Sequence, residues 1–315
     1  MNVENEQKVQ KRRIDWKSIL VIFILLAILG AGWSFRSLNN NWDESRHLHP
    51  DERYLSMVVN MIEPVWTARE YFDTTASPLN PANKDFSFFV YGTLPLFMLR
   101  YAGEWTGQTG YDLNTLLGRT MSAAMDTLTI LLIFLTAKKL FNRWIGLIAA
   151  ALYAFAVLPI QLAHYMTVDS FTNTFAMLTV LIAAEILMRK PLSAEEESGK
   201  VIRIWKEIWP YLAFGAALGM ATASKINAVS LALLLPLVEG VRYFRQEDEG
   251  NEPSLRMIIG KIGLAAIVSI VVFRVFQPYA FDGPGFFNFS INKGWWESMR
   301  SLKAMSTGEV DFPPA

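Results

Sequence analysis

The apolar residues of this chain are gathered in blocks. Seven runs stand out, at 19–35, 121–137, 144–162, 171–188, 208–223, 226–241 and 258–276. Each comes close to or reaches the roughly 17–25 residues an α-helix needs to cross hydrocarbon. A soluble domain would disperse the same residues at helix or strand periods. The pattern predicts an all-α, polytopic membrane protein with about seven transmembrane helices.

The polar intervals between the blocks set an orientation. Lys8, Lys11, Arg12, Arg13 and Lys17 precede the first run, which is too long for a signal peptide and lacks a small-residue cleavage site. It reads as a retained anchor. Further basic junctions follow at Lys138, Lys139 and Arg143, at Arg189 to Lys206, and at Arg242 to Lys261. An excess of Lys and Arg marks cytoplasmic loops, so these junctions and the N-terminal tail (1–17) are expected inside. The transmembrane module is then 18–280. Residues 36–118, 164–170, the Ser224-Lys225 break and everything after 277 face out, and 281–315 begin an external segment. Segment 86–102 is apolar enough to cross, but a full crossing would flip every later junction. With Gly92, Pro95 and Arg100 it suits a juxtamembrane helix in the first external loop. That loop, with Tyr54, Trp66, Tyr71, Phe72 and Trp105, is far longer than an ordinary connection and is expected to be ordered and functional. Glu195-Glu196-Glu197 reads as a solvated cytoplasmic loop.

Composition changes this picture little. The chain has 315 residues, 52% of them hydrophobic, and a formal net charge of zero, so charge points to no nucleic-acid partner. It has no cysteine, which excludes disulfides and thiolate metal sites.

The candidate chemistry lies in the outward-facing intervals. The first loop carries His47-Leu48-His49-Pro50-Asp51-Glu52-Arg53-Tyr54. Carboxylates at a lipid–water boundary are costly to desolvate and commonly serve a ligand, ion or proton. The same residues also fit a plain helix start, with Pro in the first turn and acids at its N-terminus. Asp169, in the second loop with His164, is either a helix cap or a second functional acid. Lys225 interrupts two apolar blocks and could snorkel to headgroups or neutralise a phosphate. The histidines have no H-x-x-x-H or comparable spacing, so no metal ligand set is assigned, although His and carboxylates suit several divalent ions. Arg119 and Asp126, seven apart on one helix, are expected to neutralise each other, and Arg274 to face protein or a cavity. Taken together, the three loops can handle an anionic lipid-linked substrate, with one acid as general base toward an acceptor hydroxyl.

These residues resemble a known family: the polytopic C-type glycosyltransferases that use polyprenyl-phosphate sugars, in particular the protein O-mannosyltransferase and aminoarabinose transferase superfamily. The resemblance rests on His49-Pro50-Asp51-Glu52-Arg53-Tyr54 after the first span, on 89–99, on Gly118-Arg119 and Lys138-Lys139-Leu140-Phe141, on 165–171 with Asp169, and on 215–225 ending in Lys225. It implies an inverting, mannosyltransferase-like transfer on the outer face of the plasma (inner) membrane; no cofactor is assigned, and because metal dependence varies among such enzymes a divalent metal is neither carried over nor excluded. Asp51 is then the base, Asp169 supports it, and Lys225 lies near the carrier phosphate. His49, Glu52, Tyr54, Arg119 and His164 join Lys225 as substrate-binding candidates. The expected partners are the lipid-linked sugar, the bilayer and an acceptor protein, lipid or glycan. The chain departs from the pattern in lacking a Lys-Pro or Pro-Pro pair near Gly92-Thr93, which leaves the acceptor open. It stops at Asp311-Phe312-Pro313-Pro314-Ala315, where family members continue, so it is expected to be C-terminally incomplete. The rival readings are a transporter or lipid flippase using the same acids and Lys225, and a non-catalytic subunit or receptor.

Overall fold

The computed structural model describes residues 15–189, 200–248 and 254–308. The expectations for the N-terminal tail before residue 15, the Glu195-Glu196-Glu197 run and the last seven residues lie outside these. The first element, α1 (Trp16–Ser37), has a mean hydropathy of 2.4 and few buried positions. Trp16, Leu20, Phe23 and Leu26 point outward, as on a helix that faces lipid. A loop leads into α2 (Pro50–Met61), followed by the single turn α3 (Ala68–Tyr71), a 3₁₀ turn at Pro81–Lys84, and α4 (Thr93–Thr106). At 14 residues α4 is about 21 Å long, too short to cross ~30 Å of hydrocarbon. The 86–102 segment therefore supplies a short buried helix within the loop.

The bundle continues with α5 (Tyr111–Leu140), α6 (Arg143–Ala154), α7 (Val157–Ala163), α8 (Asp169–Leu187) and α9 (Lys200–Ser224). It ends with a 3₁₀ segment Ile226–Leu233, α10 (Leu234–Asp248), α11 (Leu255–Phe276) and α12 (Lys293–Ser306). Two expected boundaries differ. The second span begins at Tyr111, so the tail of the expected first loop is already helical. The 144–162 block is not one straight helix, because α6 and α7 meet at a 60° bend. Pro159 has no N–H for the Phe155 carbonyl, and its ring disfavours helical geometry just before it. Among the described residues, five helices are long and apolar enough to cross a membrane, or six with the bent pair counted as one. The 25-residue α9 is not among them.

Close packing explains how α9 is held. Gly215 and Gly219 lie against the backbone of α11, where a Cβ would overlap Ala265 O and crowd Ser269 O; this is the small-xxx-small contact typical of membrane helices. Leu55, Val59, Leu96, Phe97, Met166 and Val168 form one core beneath the loops. That core fixes α2 and α4 on the end of the bundle where α8 begins and α9 stops.

Candidate active site

Pro50 occupies the first turn of α2, where its missing N–H costs nothing, and the His49 ring accepts from the Glu52 amide at 3.3 Å. The helix-start reading is thus correct, but it does not exhaust the motif. Consecutive helical residues differ by about 100° in direction, and here the two acids separate: Asp51 is exposed, whereas Glu52 is fully buried.

Glu52 faces Arg119 of α5. Arg119 Nε donates to Glu52 Oε1 at 2.7 Å and Nη2 to Oε2 at 2.6 Å. The same guanidinium grips Asp43 at 2.9 Å on each oxygen and donates to the Asn40 carbonyl at 2.9 Å. All five of its N–H groups are engaged, and the Trp42 ring lies 5.3 Å from its centre. Glu52 also accepts from the Met166 amide at 2.7 Å. The hydrogen bonds from Arg119 hold the Asp43 carboxyl at about 2, well below the usual carboxylate range. This cluster ties the loop after α1, α2, α5 and the approach to α8 into one unit. Arg119 and Glu52, both expected to touch substrate, are turned to each other and out of solvent. The expected neutralisation of Arg119 by Asp126 is also corrected. Asp126 pairs with Arg36 at 2.5 Å and accepts from Tyr153 at 2.7 Å, because seven residues on, one face of α5 has moved from the loops to α1. Arg274 is buried as expected, donating to the carbonyls of Pro278, Gly285 and Phe286.

Asp51 has a different neighbour. The Tyr91 hydroxyl donates to its Oδ1 at 3.0 Å. Burial and then the charge of Asp51 push the Tyr91 hydroxyl well above the usual tyrosine range, and the Asp169 charge reaches it too. Tyr54 stands beside it, 5.9 Å between ring centroids, with its hydroxyl on the Phe88 carbonyl at 2.8 Å and pushed up to about 12 by burial. Gly92 sets the position of Tyr91: its N–H donates to Ser224 O at 3.1 Å, and a Cβ there would overlap the carbonyls of Ala223 and Ser224. Only glycine lets this segment touch the end of α9.

The next residue after that contact is Lys225. Its Nζ lies 2.7 Å from Asp169 Oδ1, both side chains being partly exposed. Asp169 is the first residue of α8 and makes no side-chain cap bond, so the cap reading is replaced by an ion pair. Lys225 keeps two further N–H donors. Asp51, Tyr91, Asp169 and Lys225 therefore share one end of the bundle, with an exposed carboxylate and a partly exposed cation.

The histidines are placed outside this group. His49 stacks on Tyr165 with centroids 4.2 Å apart. The His164 ring nitrogens face the carbonyls of Ile160 at 2.8 Å and Leu38 at 3.1 Å. His47 meets Asp112 at 2.8 Å. Among the described residues no group of three or more His, Asp or Glu side chains could hold a metal ion. Sequence reasoning missed Tyr91, Asp43 and Trp42. Tyr91 stood inside a stretch read for its hydropathy and its family resemblance, not for a side-chain role, and Asp43 lay eight residues before Asp51, with nothing local to link it to Arg119.

A bundle of apolar helices, with its polar cluster built from a long first loop and the turns before α8 and after α9, defines the class: an integral membrane protein with the C-type glycosyltransferase fold. The family model for dolichyl-phosphate-mannose-protein mannosyltransferases matches residues 88–243, just under half of the chain. The chain is similar to the Saccharomyces cerevisiae protein O-mannosyltransferase Pmt1-Pmt2 complex bound to the sugar donor, with 18% identity and a TM-score of 0.57 over 84% of this chain and 35% of that one. It is also similar to the Archaeoglobus fulgidus oligosaccharyltransferase in its apo form, with 15% identity and a TM-score of 0.58 over 95% of this chain and 35% of that one. The same fold recurs in the archaeal oligosaccharyltransferase AglB in complex with an inhibitory peptide and a dolichol-phosphate, at 14% identity and a TM-score of 0.55 over 94% of this chain and 34% of that one. No curated protein matches the chain. It spans about a third of the length of these solved structures. The resemblance drawn from the order of motifs holds.

Proposed function

We propose that this chain carries the catalytic module of a polyprenyl-phosphate-dependent glycosyltransferase that acts on the outer face of the plasma membrane, with its N-terminus in the cytoplasm. Asp51 takes the proton from an acceptor hydroxyl, on a protein, lipid or glycan, as that oxygen attacks the anomeric carbon. The bond from the sugar to the carrier phosphate breaks on the opposite face, its electron pair stays with the phosphate oxygen, and the anomeric centre inverts. Lys225 meets the negative charge that builds on the phosphate, and Asp169 holds Lys225 in place. Tyr91 positions the base through its hydrogen bond. A mannose-type sugar fits the family match over 88–243, and the described sugar donor and dolichol-phosphate of the solved relatives fit a lipid-linked donor.

One observation carries the reading: of two adjacent acids, Glu52 is consumed by a buried arginine, whereas Asp51 is exposed and holds a single tyrosine hydroxyl, at the end of the bundle that also carries the partly exposed Lys225–Asp169 pair. The test is transfer of labelled mannose from a polyprenyl-phosphate donor by the full-length protein. Loss of transfer in Asp51→Asn supports the assignment, and unchanged turnover removes Asp51 as the base.

A further inference from the structure

A cavity of about 390 Å³ lies between residues 74–83 of the first loop and the segment that follows α11. It falls within the size range of small-molecule sites, roughly 300–1,000 Å³. Asn80, Asn83, Asn292 and Gln277 supply its polar wall, with Phe89 and Trp295 as aromatic faces. Among the described residues, no acidic or basic side chain lines it. Gln277 and Trp295 also border a small void against Tyr91, Gly92 and Ile226, the residue after Lys225. The cavity is therefore one wall away from the proposed base and cation.

The shared wall is incompletely bonded. Gln277 is 4% exposed, and its Oε1 accepts from both the amide and the hydroxyl of Thr93, at 2.6 and 2.7 Å. That pair fixes which way the amide is turned, and no group among the described residues accepts from its Nε2. Trp295 Nε1 is, among the donors of this lining, the one fully buried without an acceptor among the described residues. The Gln277 N–H₂ is thus available to an acceptor oxygen of a ligand, and an unmade hydrogen bond at a largely buried amide is costly to leave. The ligand class follows from the rest of the lining. A phosphate or carboxylate would find no cation. Amides and hydroxyls both donate and accept, as sugar hydroxyls do, and the aromatic faces suit the apolar faces of a pyranose. An extended peptide would want a strand edge, and among the described residues β-pairing is limited to the isolated bridge Phe281–Ile291.

We propose that this cavity is a subsite for a neutral saccharide unit, on the acceptor side of the transfer reaction. Its place on the acceptor side rests on the glycosyltransferase reading. The binding claim is tested without any donor, in the full chain reconstituted in nanodiscs, by titrating a mannose disaccharide and maltose and following saturation-transfer NMR. Gln277→Glu keeps an oxygen for Thr93 and replaces the free N–H₂ with a carboxylate oxygen, which cannot donate and adds a charge. Ala82→Trp, at an exposed lining position, narrows the cavity from outside. Saturable binding of a disaccharide is expected, weakened about tenfold or more by either change, the order of one lost charge-free contact set. Absence of binding, or equal binding in both cavity variants, overturns the proposal. So does a serine- and threonine-rich peptide that binds with sensitivity to those variants while the sugars do not. A failed sugar titration leaves the Asp51 transfer assay untouched, and an active Asp51→Asn leaves the titration standing, so the two readings fail separately.

Discussion

Two carboxylate clusters sit at the same end of this molecule and are built to opposite specifications. Around Arg119, two acids, a backbone carbonyl and a tryptophan face use every donor the guanidinium has, and solvent is excluded. Around Lys225, a single ion pair is partly open and the cation keeps donors in reserve, while nearby Asp51 is exposed and holds one tyrosine hydroxyl. The first arrangement maximises what is lost when one partner is removed. The second leaves charge available to something that arrives. Adjacent residues of one motif, Asp51 and Glu52, belong to different clusters, so adjacency in sequence says little about shared work.

Breaking the closed cluster should have the largest effect. Arg119→Leu strands two buried carboxylates, and removing one partner of a buried ion pair typically costs about 3–5 kcal/mol. The expected outcome is a steep fall in the thermal midpoint and in yield of folded protein. In the open cluster, Lys225→Met should fold normally and raise the KM for the lipid-linked donor by about tenfold or more, the loss of a charge-assisted contact to phosphate. A midpoint shift as large as that of Arg119→Leu would erase the distinction between the two sites.

Acid offers a finer probe. The Asp43 carboxyl is held at about 2 in the folded protein against an ordinary value of 3.8. Because the folded value is the lower one, the stabilisation is fully present above pH 3.8 and is lost as pH falls through about 2. Its size is on the order of 2 kcal/mol. Unfolding measured between pH 5 and pH 2 should show this loss, and Asp43→Asn should flatten that part of the profile. The smallest effect is expected from Tyr91→Phe, which removes one hydrogen bond to Asp51. Turnover should fall by about three- to tenfold with the thermal midpoint unchanged.

Much of the architecture was legible because membrane spans announce themselves by length and composition. The blocks at 19–35 and 258–276 sit within α1 and α11. The convergence of Asp51, Asp169 and Lys225 on one end followed from loop charge alone. What the chain hid was partner choice. Arg119 and Asp126 share a helix and looked like a pair, yet each meets a charge brought in by a distant segment, Asp43 and Glu52 in one case and Arg36 in the other. Hydropathy also concealed Tyr91. Its role depends on Gly92 touching the end of α9, a contact more than 130 residues away in sequence.

The central claim is the division of labour between Asp51 and Glu52, and paired isosteric changes test it most directly. Asp51→Asn and Glu52→Gln would be compared in one preparation for thermal midpoint and for sugar transfer from the lipid-linked donor. The account predicts that Asp51→Asn keeps its midpoint and loses about 10²–10⁴-fold in turnover, the usual range for a general base. It predicts that Glu52→Gln loses stability first, with activity following the folded fraction. A stable Glu52→Gln protein without turnover, beside an Asp51→Asn protein that works normally, would contradict it.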